Sequence, residues 1–373
     1  MRLARVAIAL AAVASVSATS ACKTHKPAAR LRIWLGVSHA CSVQATSRVL
    51  ECWGRGDAGQ LGDGAAASRA LPTVVSGLVD GAVDGVALGA RHTCALSGGA
   101  VRCWGEGTRG QLGTGRSVTL GEPSASVVAG DAALSRVSAI AARGDRTCAL
   151  TPDGARCWGD GALRAEELPG LRGAASALAV GGDFACATFT EPRAVRCSGA
   201  DERGQSGGRA PLAVGATVLG ITAGDQHACV VLDTGAVECW GANDHGQLGD
   251  GTTNDARAPS RVAGLPPAVE VRAGAAHTCA RLRSNTVACW GDNRAHQLVR
   301  GDTLPSATPA AVQGLIGVVE LAAGGDSACA RLAGGEVRCW GANAAGQLGD
   351  GTTAPHAVPM PVKGPVVATG ERR

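Results

Sequence analysis

The chain has 373 residues, of which 55 are glycine, 15 cysteine, 7 tryptophan, 2 phenylalanine and none tyrosine. Lys plus Arg is 35 against Asp plus Glu 31, a net +4 spread without a long run of one sign, which argues against a nucleic-acid partner. With 45% hydrophobic residues the chain is too apolar for disorder, and a glycine share about twice the usual ~7% demands frequent turns.

The first residues read as an export signal. Arg2 and Arg5 precede an apolar stretch from Val6 to Val16, which is the length of a signal-peptide core and shorter than a membrane span of about 20 residues. Ala18, Thr19, Ser20 and Ala21 then lead to Cys22, a pattern that resembles a bacterial lipoprotein signal, in which the cysteine becomes the lipidated first residue. Residues 1–21 are expected to be removed as a signal peptide, leaving 22–30 as a tether with lipid on Cys22. The alternative is simple cleavage near Ala21 and secretion. Either route exports the protein to a compartment where disulfides persist, with lipid as its sole membrane attachment.

One unit then recurs seven times. HACVVLDTGAVECWGANDHGQLGDGTT begins at His227 and SACARLAGGEVRCWGANAAGQLGDGTT at Ser327, and further copies begin at His39, His92 and His277. Two copies are degraded: the one from Arg146 lacks GQLGDG, and the one from Phe184 has Ser198 where the others have tryptophan. The second cysteine of each unit falls at 52, 103, 157, 197, 239, 289 and 339, in steps of 40–54 residues, a period that suits a four-stranded propeller blade. Each unit reads as short strands separated by turns, with no amphipathic helical stretch. The expected fold is all-β: a seven-bladed β-propeller over residues 31–364 with one hairpin disulfide per blade, followed by a tail at 365–373. The ring is expected to close with the strand near 31–37 beside the segment 357–363.

With Cys22 set aside, the cysteines form seven pairs separated by 9, 10 or 11 residues. For Cys94–Cys103, pairing Ala95 with Arg102, Leu96 with Val101 and Ser97 with Ala100 leaves Gly98-Gly99 as a two-residue turn. The cysteines then occupy a non-hydrogen-bonded pair, with Cα atoms about 4.5 Å apart and within disulfide reach. A spacing of ten fits a three-residue loop for Cys229–Cys239, Cys279–Cys289 and Cys329–Cys339, with Gly235, Asn285 and Gly335 at the left-handed position. A spacing of eleven fits a four-residue loop for Cys41–Cys52 and Cys186–Cys197. Cys148–Cys157 shares the shortest spacing. Loop length thus varies with spacing so that the cysteines stay opposite one another, which points to seven intra-hairpin bridges.

A metal reading competes, because His39, His92, His227 and His277 each stand two residues before a cysteine on one strand face. Arg146, Phe184 and Ser327 take that position elsewhere while every unit keeps both cysteines, so no metal is expected. Trp53, Trp104, Trp158, Trp240, Trp290 and Trp340 each follow the second cysteine and are expected to space adjacent blades. Trp34 stands outside this pattern and is expected to pack in the first strand. The GQLGDG segments carry no GK[ST] ending and open no helix, so they are turns rather than phosphate loops; Asp63, Asp250 and Asp350 suit those turns. His296 and His356 read as singletons without partners. No catalytic constellation and no cofactor site emerges.

The unit G-x-x-H-[TA]-C-A-L…G-x-V-x-C-W-G-x-N-x-x-G-Q-L-G-D-G-T-T resembles the regulator-of-chromosome-condensation repeat family over nearly the whole chain after residue 30. The resemblance implies a seven-bladed propeller, in agreement with the repeat count, and the paired cysteines look like an exported bacterial branch. It also implies guanine-nucleotide exchange on a small nuclear GTPase, an activity that export disfavours. The expected function is therefore that of a non-enzymatic, monomeric envelope protein binding a protein or glycan through one propeller face. The irregular side is the expected contact, because blade 3 lacks GQLGDG and the loop 116–131 before it is long. A hydrolase or lyase with its site at the central channel is the alternative, and it requires titratable groups from several blades at one mouth.

Overall fold

A computed structural model describes residues 30–364 apart from 46, 79–82, 128–133, 135, 192 and 209. The signal peptide, Cys22 and the tail at 365–373 lie outside the described residues. Those described form seven antiparallel sheets in sequence order, each running from an inner first strand to the outside. Blade 1 spans the strands Arg30–Leu35, His39–Gln44, Leu50–Gly54 and Arg69–Val74, and the other blades repeat this meander. There is no α-helix among the described residues. Blade 4 departs from the expected four strands. It has three, Ala175–Val180, Phe184–Thr190 and Arg193–Gly199, with a lone Val195–Leu212 bridge where a fourth would pair.

Each hairpin carries its disulfide: Cys41–Cys52, Cys94–Cys103, Cys148–Cys157, Cys186–Cys197, Cys229–Cys239, Cys279–Cys289 and Cys329–Cys339, with Cα separations of 4.0–4.1 Å. The cysteines face each other directly in the strand register, as in Cys94↔Cys103 above Ser97↔Ala100. Gly98 and Gly99 both have positive φ (56° and 81°), the requirement of the tight hairpin turn that joins them. Gly235 and Asn285 take the left-handed position of the three-residue loops. Cys186–Cys197 corrects the four-residue expectation: pairing continues to Thr190↔Arg193, so two residues rather than four separate the strands.

Six tryptophans are fully buried between blades. Strand alternation turns each away from its own disulfide and onto the preceding blade. Trp340 of blade 7, for example, packs against Cys289, Leu298 and Val312 of blade 6. Each indole N–H donates to the backbone carbonyl of the glutamine in the corresponding loop of that preceding blade, GQLG in four blades, GQSG at Gln205 and HQLV at Gln297, at 2.9–3.0 Å. The glutamine side chain folds its own loop, as when Gln247 Oε1 accepts from His245 N at 2.9 Å. Asp250 holds the following turn by accepting from Thr252 N and Asn243 Nδ2. GQLGDG is therefore a structural connector. Its glutamine carbonyl receives the next blade, and a side chain at Gly249 would collide with Trp290.

The ring closes without a shared strand: the first strand lies against blade 7 through side-chain packing. Ile33 and Leu35 pack with Ala322, Cys329 and Val362 of blade 7, and Trp53 lies in the same cluster. The strand His356–Pro361 stays at the outer edge of blade 7, paired with Val337–Gly341. Each blade takes its strands from one contiguous segment, so side-chain packing rather than strand exchange joins the first to the last.

Candidate functional site

The first strands of all seven blades line a central channel enclosing about 220 Å³. Its two mouths differ. At the end where these strands finish, the Arg143 side chain is buried, and its Nε donates to Asp225 Oδ1 at 2.6 Å, reaching from blade 3 to the loop of blade 5. Burial pushes the carboxyls of Asp145 and Asp326 upward, and Asp292 adds to the effect at Asp326. The surrounding charges are mostly paired, as in Arg91 with Glu106 (2.6 Å) and Asp57 (3.1 Å), and Arg294 with Asp292 (2.9 Å).

At the opposite mouth, where the first strands begin, groups from blades 1, 6 and 7 converge. Glu270 on Ala268–Ala273 faces Arg281 on His277–Leu282 across the strand pair. Its carboxylate is 2.9 Å from Arg281 Nε and 2.8 Å from Arg272 Nη2. Blade 7 repeats the pair, with Glu320 on Val318–Gly324 2.7 Å from Arg331 on Ser327–Leu332. Arg32 Nε lies 3.9 Å from Glu320, and its guanidinium stands 5.2 Å from the centroid of the half-buried Trp34 ring. Four guanidinium groups thus meet two carboxylates, a local excess of two positive charges. They surround a cavity of about 500 Å³ whose remaining wall includes Leu219, 61% exposed.

The central-channel enzyme reading asked for this convergence, and the convergence is present. The chemistry is different: each carboxylate is occupied by arginine, and among the described residues no histidine or hydroxyl nucleophile joins the six charged groups that line the cavity. A cluster of guanidinium groups in excess of its carboxylates suits recognition of acidic groups.

The residues singled out by sequence fall elsewhere. His39, His92, His227 and His277 are fully buried, and burial lowers them to about 4, 3, 3 and 4, so they are neutral. Three of them meet a hydroxyl of the next blade: His39 with Thr93 (2.8 Å), His92 with Thr147 (2.6 Å) and His227 with Thr278 (2.9 Å). The neighbouring cysteine sulfurs are all in disulfides and supply no thiolate. His356 corrects the singleton expectation, because its Nε2 lies 2.6 Å from Asp350 Oδ2. The segment expected as a long loop at 116–131 is largely strand, Val118–Val127, the outer edge of blade 2. The Glu–Arg pairs at the mouth escaped sequence reading. Their signal is an eleven-residue spacing, 270 to 281 and 320 to 331, bracketing the first cysteine of each unit.

Models of the Regulator of chromosome condensation (RCC1) repeat match residues 52–96, 234–281 and 334–369, and a second model of the same repeat matches 83–111, 218–247, 268–297 and 318–347. The Arabidopsis thaliana ultraviolet-B receptor UVR8 is 44% identical over 103 residues, 27% of this chain and 23% of that protein. The Homo sapiens E3 ubiquitin-protein ligase HERC2 is 27% identical over 262 residues, 63% of this chain and 5% of that protein. The chain thus spans less than a quarter of the length of these curated relatives. Among solved structures, Saccharomyces cerevisiae Prp20p superposes with a TM-score of 0.75 at 21% identity over 86% of both chains. Human WBSCR16 gives 0.73 at 19% identity over 84% of this chain and 93% of its own. Seven blades, the inter-blade tryptophans seated on GQLG carbonyls, and the repeat matches together place this chain in the RCC1 repeat family.

Proposed function

We propose that the protein is a non-enzymatic binding module of the bacterial envelope that takes a protein partner through the arginine-rich mouth of its channel. The carrying observation is the excess of two positive charges around the Glu270 and Glu320 pairs, beside the exposed Leu219. A rim of arginines around an apolar side chain suits an acidic polypeptide segment. Support for a protein rather than a glycan comes from yeast Prp20p, described with its binding to Gsp1p and histones and as a complex with Kap60. Support for export comes from the signal-like residues 1–21 and from seven disulfides, which persist in oxidising compartments. Lipid on Cys22 would hold the propeller at the membrane. Exchange on a nuclear GTPase does not fit that location.

The test is affinity capture from envelope extracts at low and high salt, using the native chain and an Arg281→Glu/Arg331→Glu variant. A partner held by the native chain at low salt, and lost from the variant at unchanged melting temperature, supports the reading. Equal capture by both sinks it. Fractionation with mass spectrometry of the mature N-terminus tests location: an unprocessed chain in the cytoplasm rejects the envelope assignment.

A further inference from the structure

The junction between blades 3 and 4 differs from the other six in what it lacks. Blade 3 has no GQLG loop, because its fourth strand, Ala162–Arg172, starts within three residues of Gly159. Blade 4 has Ser198 at the indole-bearing position. Leu171 and Phe189 pack the buried part of this junction. Outside them lies a cavity of about 540 Å³, walled by Pro169 and Gly170 of blade 3 and by Cys197, Ser198, Asp201 and Ser206 of blade 4. A methyl group built on Gly170 or on Gly208, at its edges, meets nothing within 4 Å.

We infer that this cavity is a binding site for the indole ring of a tryptophan supplied by a partner polypeptide. Six junctions of the same molecule show what fits between blades here, a flat indole with its N–H on an oxygen of the preceding blade. Ser198, in the wall of this cavity, occupies the strand position from which the other six blades send their inter-blade indole. Ser198 Oγ stands in the wall as an acceptor for a ring N–H, while the Asp201 carboxylate is already held by Arg257 at 2.7 Å and by Ser206 N at 3.1 Å. Residues 1–29 and 365–373 contain no aromatic residue. Six of the seven tryptophans are fully buried, Trp34 lines the channel, and both phenylalanines are buried, so a second copy has no ring to offer. The site lies away from the channel mouth and does not depend on what binds there.

The probe is N-acetyl-tryptophanamide, read by saturation-transfer NMR on the mature protein. The native chain is expected to saturate the indole protons with a Kd of about 1 mM, and to bind N-acetyl-leucinamide at least about ten-fold more weakly. Ser198→Trp fills the gap from within and abolishes binding while keeping the melting temperature. Absence of saturation, parity with the leucine amide, or unchanged binding in the folded Ser198→Trp protein overturns the inference. Should that variant fail to fold, photolabelling of the native chain with a diazirine-bearing tryptophan amide decides the matter. Adducts within 169–170 and 197–208 support the site, and adducts confined to other segments overturn it.

Discussion

The junction between blades 5 and 6 and that between blades 3 and 4 join the same kind of sheet in different ways. In the first, Gln247 of blade 5 offers one carbonyl to two donors of blade 6, Trp290 Nε1 at 2.9 Å and Thr278 Oγ1 at 2.9 Å. The Thr278 hydroxyl gives its proton to that carbonyl, so it accepts from His227 Nε2–H of blade 5. In the second, Arg146 stands at the histidine position, Ser198 at the tryptophan position and the glutamine loop is gone, while Ala185 takes the threonine position as Ala40, Ala228 and Ala328 do in other blades. Tryptophan and glutamine carbonyl are absent together here, and an indole N–H buried without that carbonyl would be left unpaired, whereas the histidine–threonine pair is dispensable, since the 4–5 and 7–1 junctions lack it and keep the Trp–Gln contact.

Acid should separate the two kinds of junction most strongly. The four buried histidines have folded values of about 3 to 4 against about 6.5 in an open chain. The unfolded state thus takes up protons the folded state refuses as pH falls below about 6.5. Stability is full above that value and is lost towards pH 4, by up to about 1.4 kcal/mol per histidine for each unit. The expected loss totals several kcal/mol in urea melts between pH 6.5 and 4.5. His227→Asn should flatten the slope by about one proton, and an unchanged slope refutes the assignment. Hydrogen exchange at pH 5 should loosen the 5–6 junction before the 3–4 junction, which has no histidine.

Truncation sharpens the same contrast. Trp290→Ala empties a fully buried slot and should cost about 3–5 kcal/mol by urea unfolding. Ser198→Ala, at the equivalent position of blade 4, should change stability by less than about 0.5 kcal/mol. Comparable losses at the two sites would mean that the tryptophan slots are not what holds the ring.

How much of this the chain announces depends on whether a contact is local. Cysteine spacing and turn residues lie within a dozen residues, so the Gly98-Gly99 turn and the cross-strand cysteines can be read directly. The tryptophans are readable as spacers because their side follows from the alternation next to a cysteine. The Glu270–Arg281 and Glu320–Arg331 pairs were hidden by a register shift near the start of each first strand, between Ala268 and Glu270 and between Val318 and Glu320. A one-residue shift reassigns faces, and no turn chemistry marks it. The link between Ser198 and the missing GQLG was hidden for another reason. The partners belong to different repeats, and aligning repeats on one another compares equivalents rather than neighbours.

Reduction should also find the weak junction. Thirteen of the fourteen paired cysteines are buried, and Cys197 alone is only partly buried, on the wall of the blade 3–4 cavity. Thiolate attack needs access to a sulfur. Graded dithiothreitol with mass mapping should therefore open Cys186–Cys197 first, with a loss of about 2–3 kcal/mol for a loop of this length. Earlier opening of Cys229–Cys239 would show that access is not the controlling factor.

The smallest effect is a gain. His277 keeps the histidine found in blades 1, 2 and 5, but its neighbour in blade 7 is Ala328 where Thr93 and Thr278 stand in other blades, and both His277 ring nitrogens are buried without a partner. Ala328→Thr restores the missing hydroxyl, which can accept from His277 Nε2 and donate to the Gln297 carbonyl that already receives Trp340. The added atoms crowd a tightly packed site, yet threonine is accommodated in the equivalent space of blades 2 and 6. The gain should be about 1 kcal/mol in urea melts above pH 6.5, where the histidine is neutral in both states. His277→Phe in the native background removes the unpartnered nitrogens instead, following Phe184 over Gly181 in blade 4, and should recover part of the same stability. If neither change stabilises the chain, the hydroxyl relay contributes nothing, and the junctions rest on tryptophan packing alone.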